Sequence, residues 1–235
     1  MATLTVMHQP NTAPRAERSP MAFMTHEELL RVLRVARKHS TRDWCMLLLA
    51  YGHGLRTTEV CSLQLEDVTR GVLFVRRLKG SRSTAQPLYS HRAEPLLDEV
   101  KALTEWLRVR REDGSTALFT SQKGGPLHRS QFFRIFQSTA REAGLSTDKR
   151  HPRVLKYSLA SHLLAADGDV AAVSEYLGHR SLNSTLQYIK AARRLAVNTT
   201  RGSHDQSLAR HAVAYGNPHV RSRSRDRGHS IIKYL

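Results

Sequence analysis

Apolar positions recur every three or four residues over most of this chain and every second residue in one short stretch, which predicts a mainly α fold with a small antiparallel β-hairpin. Thr25 followed by Glu28 has capping-box spacing, and Leu29, Leu30, Leu33 and Val35 carry a helix to about Lys38. From about Arg42 to Tyr51, Trp44, Met46, Leu47, Leu48 and Leu49 leave no polar face, so this segment reads as a central core helix. The loop Gly52-His53-Gly54-Leu55-Arg56 follows, with Thr57 or Thr58 expected to cap a short helix around Glu59 to Leu63. The alternating, β-branched run Val72 to Arg76 can pair with Ala85 to Tyr89, placing Lys79 near the hairpin tip.

Helical spacing resumes from His91 to Arg111 and from Ser130 to Ala143, the latter closed by Gly144. Between Arg150 and Lys190, Val154, Leu155, Leu159, Ala160, Leu163 and Leu164 make the buried face of a helix, with Arg153 and Lys156 a turn apart on another face. A turn at Asp167 to Asp169, a second helix capped by Asp169, a break at Gly178-His179 and a short helical turn then deliver Tyr188. No repeat of fixed period is present.

Charge narrows the partners. Among 235 residues, 37 Lys and Arg oppose 20 Asp and Glu, a formal +17 that concentrates a polyanion, and nucleic acid is the natural one. The length suits one main domain, expected at 22–198, between a flexible segment 1–21 holding Pro10, Pro14 and Pro20 and a basic, mobile tail 199–235. Two cysteines, Cys45 and Cys61, exclude a disulfide framework. The longest apolar run, Cys45 to Tyr51, is far short of a bilayer span, so no membrane partner is expected and a cytoplasmic, nucleoid-associated location is.

Tyr188 has a histidine nine residues before it and cations on the preceding helix, the set that attack of a phenol on a phosphodiester requires. Two cations at a helix start oppose its dipole unless an anion sits there. Arg56, at a helix N-terminus, suits an anion too; considered alone, its plainer reading is a surface pair with Glu59. Lys79 taken alone is an ordinary exposed charge. The Gly124-Gly125 pair lacks the setting of a phosphate loop, and the histidines show no metal-ligand spacing.

Four segments together resemble the catalytic domain of the tyrosine recombinases, or phage-type integrases, over roughly Met24 to Ala192: YGHGLRTTEVCSL (Tyr51 to Leu63), LKGSRSTAQPL (Leu78 to Leu88), RVLKYSLASHLL (Arg153 to Leu164) and YLGHRSLNSTLQY (Tyr176 to Tyr188). The resemblance implies that fold and a site-specific recombinase acting on double-stranded DNA through a 3′-phosphotyrosyl intermediate. Arg56 then matches the first phosphate-binding arginine, Lys79 the general acid for the 5′ hydroxyl, His179 a hydrogen-bond donor to the phosphate and Tyr188 the nucleophile. It implies no cofactor, neither ATP nor a divalent metal. It also implies a homo-oligomer, a synaptic tetramer on DNA, with a DNA-bending accessory protein as a further partner.

The sequence departs from the family pattern in two places. Arg153 stands where the family carries His or Lys, and Lys156 where it carries a second arginine, with Tyr157 at a common histidine position. Lysine keeps the charge but loses the two-pronged grip. His151 lies two residues too early to substitute directly. The short stretch ahead of the first helix is like that of the short recombinases, such as the fimbrial invertases, which lack the N-terminal core-binding domain. These departures keep two alternatives open: a weakened or inactive DNA-binding regulator on the same fold, and a type IB topoisomerase-like nicking and resealing enzyme.

Overall fold

The most apolar helix of the chain sits at its centre. In the computed structural model, which describes residues 21–78, 80–166, 169–189 and 192–193, α2 (Thr41–Gly52) is buried without interruption from Trp44 to Gly52. Around it pack α1 (His26–His39), α4 (Glu99–Val109) and α6 (Arg153–Ala165). Thr25 and Glu28 form the predicted capping box of α1. Ser40 closes α1, its N–H donating to Ala36 O, and opens α2, its hydroxyl accepting from Asp43 N, so one residue makes the corner.

The hairpin is present as β2 (Val72–Val75) and β3 (Thr84–Pro87), slightly shorter than the alternation suggests. A third strand that the pattern did not announce, β1 (Val68–Thr69), completes an antiparallel sheet of order β1-β2-β3. It joins β2 through Arg70 and Gly71, both at positive φ. Along β2 and its continuation, Leu73, Val75 and Arg77 face inward, whereas Phe74 and Arg76 face solvent.

Two expectations need correcting. The helix read from His91 begins only at Glu99: Pro95–Leu97 is a single 3-10 turn, and the Asp98 carboxylate accepts from Lys101 N to start α4. Proline lacks the N–H a helix interior needs, and Asp98 is the better cap. The helix α3 (Thr57–Ser62) is opened not by a threonine but by Arg56, whose backbone N–H donates to Glu59 Oε2 at 2.8 Å.

The remaining helices are α5 (Arg129–Glu142), α7 (Val170–Tyr176), capped by Asp169 as expected, and the short α8 (Asn183–Leu186). The predicted lead-in apart from Met21, the tail 199–235, Lys79 at the hairpin tip and residues 167–168 of the turn lie outside the described residues. Residues ahead of α1 fasten onto α6. Met24 N donates to Ser158 Oγ (2.7 Å), and His162 bridges Met24 O (2.9 Å) and the Tyr51 hydroxyl (2.9 Å). No helix among the described residues is long and apolar enough to cross a membrane.

Candidate active site

A cavity of about 850 Å³ opens where α3, the hairpin end, the start of α6 and the α7–α8 connection meet. Arg56, Arg153, Lys156, His179 and Tyr188 all line it, although 132 residues separate the first from the last (188 − 56). Of the six residues singled out in the sequence, five therefore share one space. The sixth, Lys79, is outside the described residues, but its neighbours Gly80 and Ser81 line the same cavity.

Arg56 reconciles its two readings. Its Nη1 donates to Glu59 Oε1 at 2.8 Å and its Nη2 to Ser81 Oγ at 3.2 Å, yet the side chain stays 40% exposed toward the cavity. Glu59 is no surface partner, because its side chain is fully buried. Burial pushes the carboxyl's pKa up, but Arg77 and the Arg56 hydrogen bonds outweigh it, leaving a net value below the ordinary one.

Lys156 is the larger surprise. Rather than lying on an open face, it is buried, its stem running beside Gly54 and its Nζ 3.5 Å from Leu177 O. Gly54, at φ 56°, leaves the room: a Cβ there would lie 2.6 Å from a Leu177 methyl. Burial first, then Arg77 and Arg56, push the Lys156 ammonium down to about 7, with Glu59 opposing. Arg153 remains exposed on the first turn. The α6 N-terminus has no acidic residue in its first turn, so the helix dipole and two cations there favour an anion.

His179 follows Gly178, whose φ of 67° turns the chain out of α7. Its Nδ1 lies 2.8 Å from the Thr185 hydroxyl, and burial, then Lys156, Arg56 and Arg77, push its pKa down to about 4, so the ring is neutral at pH 7. Tyr188 is only 3% exposed, its ring stacked on His179 (centroids 6.2 Å apart) and tilted against Tyr157 (5.6 Å). Burial and Tyr157 push its phenol up to about 12, against the pull of Arg56. His151 also lines the cavity, with no rearrangement of the helix start. Its Nδ1 accepts from Arg153 N (3.2 Å), which puts its own proton on Nε2 and makes the neutral ring a donor toward anything in front of it.

Residues 22–194 match the phage integrase family. This chain belongs to that family, the tyrosine recombinases. It is 34% identical over 181 residues to the type 1 fimbriae regulatory protein FimB of Escherichia coli K12, covering 74% of this chain and 86% of FimB. It is also 34% identical over 186 residues to the tyrosine recombinase XerA of Pyrococcus furiosus, covering 77% of this chain and 59% of XerA. In fold it matches a crystal structure of XerA recombinase with a TM-score of 0.65 at 24% identity, over 78% of this chain and 66% of that one. A lambda integrase dimer bound to a COC′ core site matches with a TM-score of 0.60 at 21% identity, over 75% and 50%.

Sequence reasoning missed Arg77, Ser81 and the burial of Glu59. The alternation that put Leu73 and Val75 inside extends two residues further to Arg77, so an inward arginine was there to be found.

Proposed function

We propose that this recombinase cuts and rejoins double-stranded DNA through Tyr188. The observation that carries the reading is the convergence of Arg56, Lys156, His179 and Tyr188 on one cavity. Arg56 presents a guanidinium fork to the non-bridging oxygens of a phosphodiester. Lys156 adds a second positive charge, which an arriving phosphate stabilises against the burial that otherwise drains it. With the Thr185 hydroxyl donating to Nδ1, His179 carries its proton on Nε2 and donates to the same phosphate.

In the step itself a bond forms between the Tyr188 oxygen and phosphorus, and the bond from phosphorus to the 5′ oxygen breaks. The phenol gives its proton to water and the 5′ oxygen gains one, the role the family resemblance gives to Lys79. The phosphotyrosyl ester keeps the phosphodiester energy, so rejoining is the reverse reaction with a new 5′ hydroxyl. Exchange between two sites needs copies of the chain assembled on DNA. Neighbouring copies, a DNA-bending protein and the basic 199–235 segment are the proposed sources of phosphate contacts beyond the cavity.

The rival is a regulator that binds DNA without cutting it, favoured by Arg153 and Lys156 at positions where the family differs. The test is covalent capture. Full-length protein is incubated with a random-sequence library of nicked duplexes, denatured in detergent, and protein-linked DNA is recovered. Wild type should yield DNA joined through a 3′ phosphate, and Tyr188→Phe none. Binding without any covalent product from wild type would give the regulator reading the field.

A further inference from the structure

Arg77 is enclosed beside the cavity, yet it does not line it. Its side chain is fully buried, and its guanidinium spreads over three separate segments. Nη1 donates to Gly54 O (3.0 Å) and Glu59 Oε2 (3.1 Å), and Nη2 to His53 O (2.8 Å) and Tyr176 O (3.4 Å). Gly54 and His53 belong to the loop that ends in Arg56; Tyr176 ends the helix that leads to His179; Arg77 itself leads into the hairpin end.

The contacts around it make the arrangement specific. Glu59, held by Arg77 from below, holds Arg56 twice, by its backbone N–H (2.8 Å) and its Nη1 (2.8 Å), and also takes Leu78 N (3.3 Å). On the other side, Arg82 N donates to Gly178 O (2.8 Å) and Ser81 bridges to His179. Gly178 lies so close that a Cβ there would stand 2.4 Å from Arg82 O and 3.2 Å from Arg77 Cγ. Burial pulls the Arg77 pKa below its ordinary value and Glu59 opposes the shift; an arginine keeps its proton regardless.

We infer that Arg77 is a positioning residue for the cleavage reaction: through Glu59 and the Gly54 and Tyr176 carbonyls it sets the Arg56 guanidinium and the His179 imidazole in register with each other. A lysine cannot replace it, because a point charge with three donors on one nitrogen cannot span carbonyls on two sides and a carboxylate at once. The inference rests on the reading of Arg56 as the phosphate-binding group.

The experiment uses full-length protein and a duplex recovered by covalent capture, made with either a normal phosphate or a neutral methylphosphonate at the scissile position. Loss of a phosphate-orienting donor slows attachment to the normal phosphate by about a hundred- to a thousandfold. Arg77→Lys should show that loss while its affinity for uncut duplex stays within threefold of wild type. On the methylphosphonate, which has less charge to hold, the deficit should shrink at least tenfold, and Arg56→Ala should shrink alike. If Arg77→Lys is unfolded, Glu59→Gln combined with Arg77→Met removes both buried charges together and is measured in its place. Attachment at the wild-type rate, or an equal deficit on both substrates accompanied by lost affinity, would overturn the positioning role. If Arg56→Ala cleaves normally, the reading of Arg56 fails, whatever Arg77 does.

Discussion

On one wall of the cavity, the Glu59 carboxylate accepts four hydrogen bonds, two from Arg56 and one each from Arg77 and the Leu78 backbone, with no exposed surface of its own. On the other wall, Tyr188 follows a helix of four residues, its ring resting between His179 and Tyr157, while Leu182 and Leu186 beside it face solvent. The first wall is fixed by directional, charge-assisted bonds; on the second, the Tyr188 ring rests on ring contacts, each worth on the order of 1 kcal/mol, and its hydroxyl has a neutral hydrogen bond to Gln187. On the proposed reading, the group that meets the phosphate is preorganised, whereas the attacking group, Tyr188 at 3% exposure, is stowed.

Breaking the fixed wall should be costly. Glu59→Ala strands the Arg77 charge in the interior and should destabilise the fold by about 3–5 kcal/mol, read from urea unfolding. Arg77→Met on the Glu59→Ala background should recover part of that loss, because the orphaned charge is gone.

Acid should loosen the core through His162. His162 ties Met24 and Tyr51 to α6, and burial, only partly offset by its bond to Met24, pushes its pKa down to about 4, from an ordinary 6.5. The unfolded chain takes the proton first, so the stability is intact above pH 6.5 and is lost as pH falls to 4, by about 3 kcal/mol, with His179 adding in the same direction. Unfolding at pH 7 and pH 4.5 measures it, and His162→Gln should flatten the difference.

Lys156 joins the two walls, and its burial works against the fold. With a folded pKa near 7 and an ordinary value of 10.5, its penalty is full below pH 7 and fades as pH rises toward 10.5. Lys156→Met should therefore raise the melting temperature more at pH 6 than at pH 10 while slowing covalent capture. Lys156→Arg should speed capture, by about tenfold or less, by restoring a forked grip; an equal or lower rate would show a pocket adapted to lysine. The smallest effect belongs to the stowed wall: Tyr157→Phe keeps the ring and should shift stability by no more than about 0.5 kcal/mol. A shift comparable to that of Glu59→Ala would erase the contrast between the walls.

Local chemistry made much of this legible. The Thr25–Glu28 box, the unbroken apolar run of α2, the alternating hairpin and the Asp169 cap each depend on residues close in sequence, and each stands where the pattern put it. Three features were not legible. The α4 start was hidden because Leu96 and Leu97 fit a helical stripe, although Pro95 and Asp98 dictate otherwise. Lys156 looked like a surface cation because Gly54, which lies beside its stem, and Leu177, whose carbonyl its Nζ meets, come from distant segments. Glu59 looked like half of a surface pair because its second partner, Arg77, lies 18 residues away. Family resemblance pointed to the residues that face the cavity, and only the alternation of β2, followed two residues past Val75, reaches the one behind them.

The seam at Gly178 ties two segments into one. Since the Arg82 amide is bonded to the Gly178 carbonyl and Ser81 runs antiparallel to His179, the hairpin tip and the imidazole ride on a common strip of backbone. Whatever tugs the tip, whether a DNA groove or an adjoining subunit, tugs the ring along with it, and the nuclear magnetic resonance signal of that ring becomes a built-in gauge of where the tip stands.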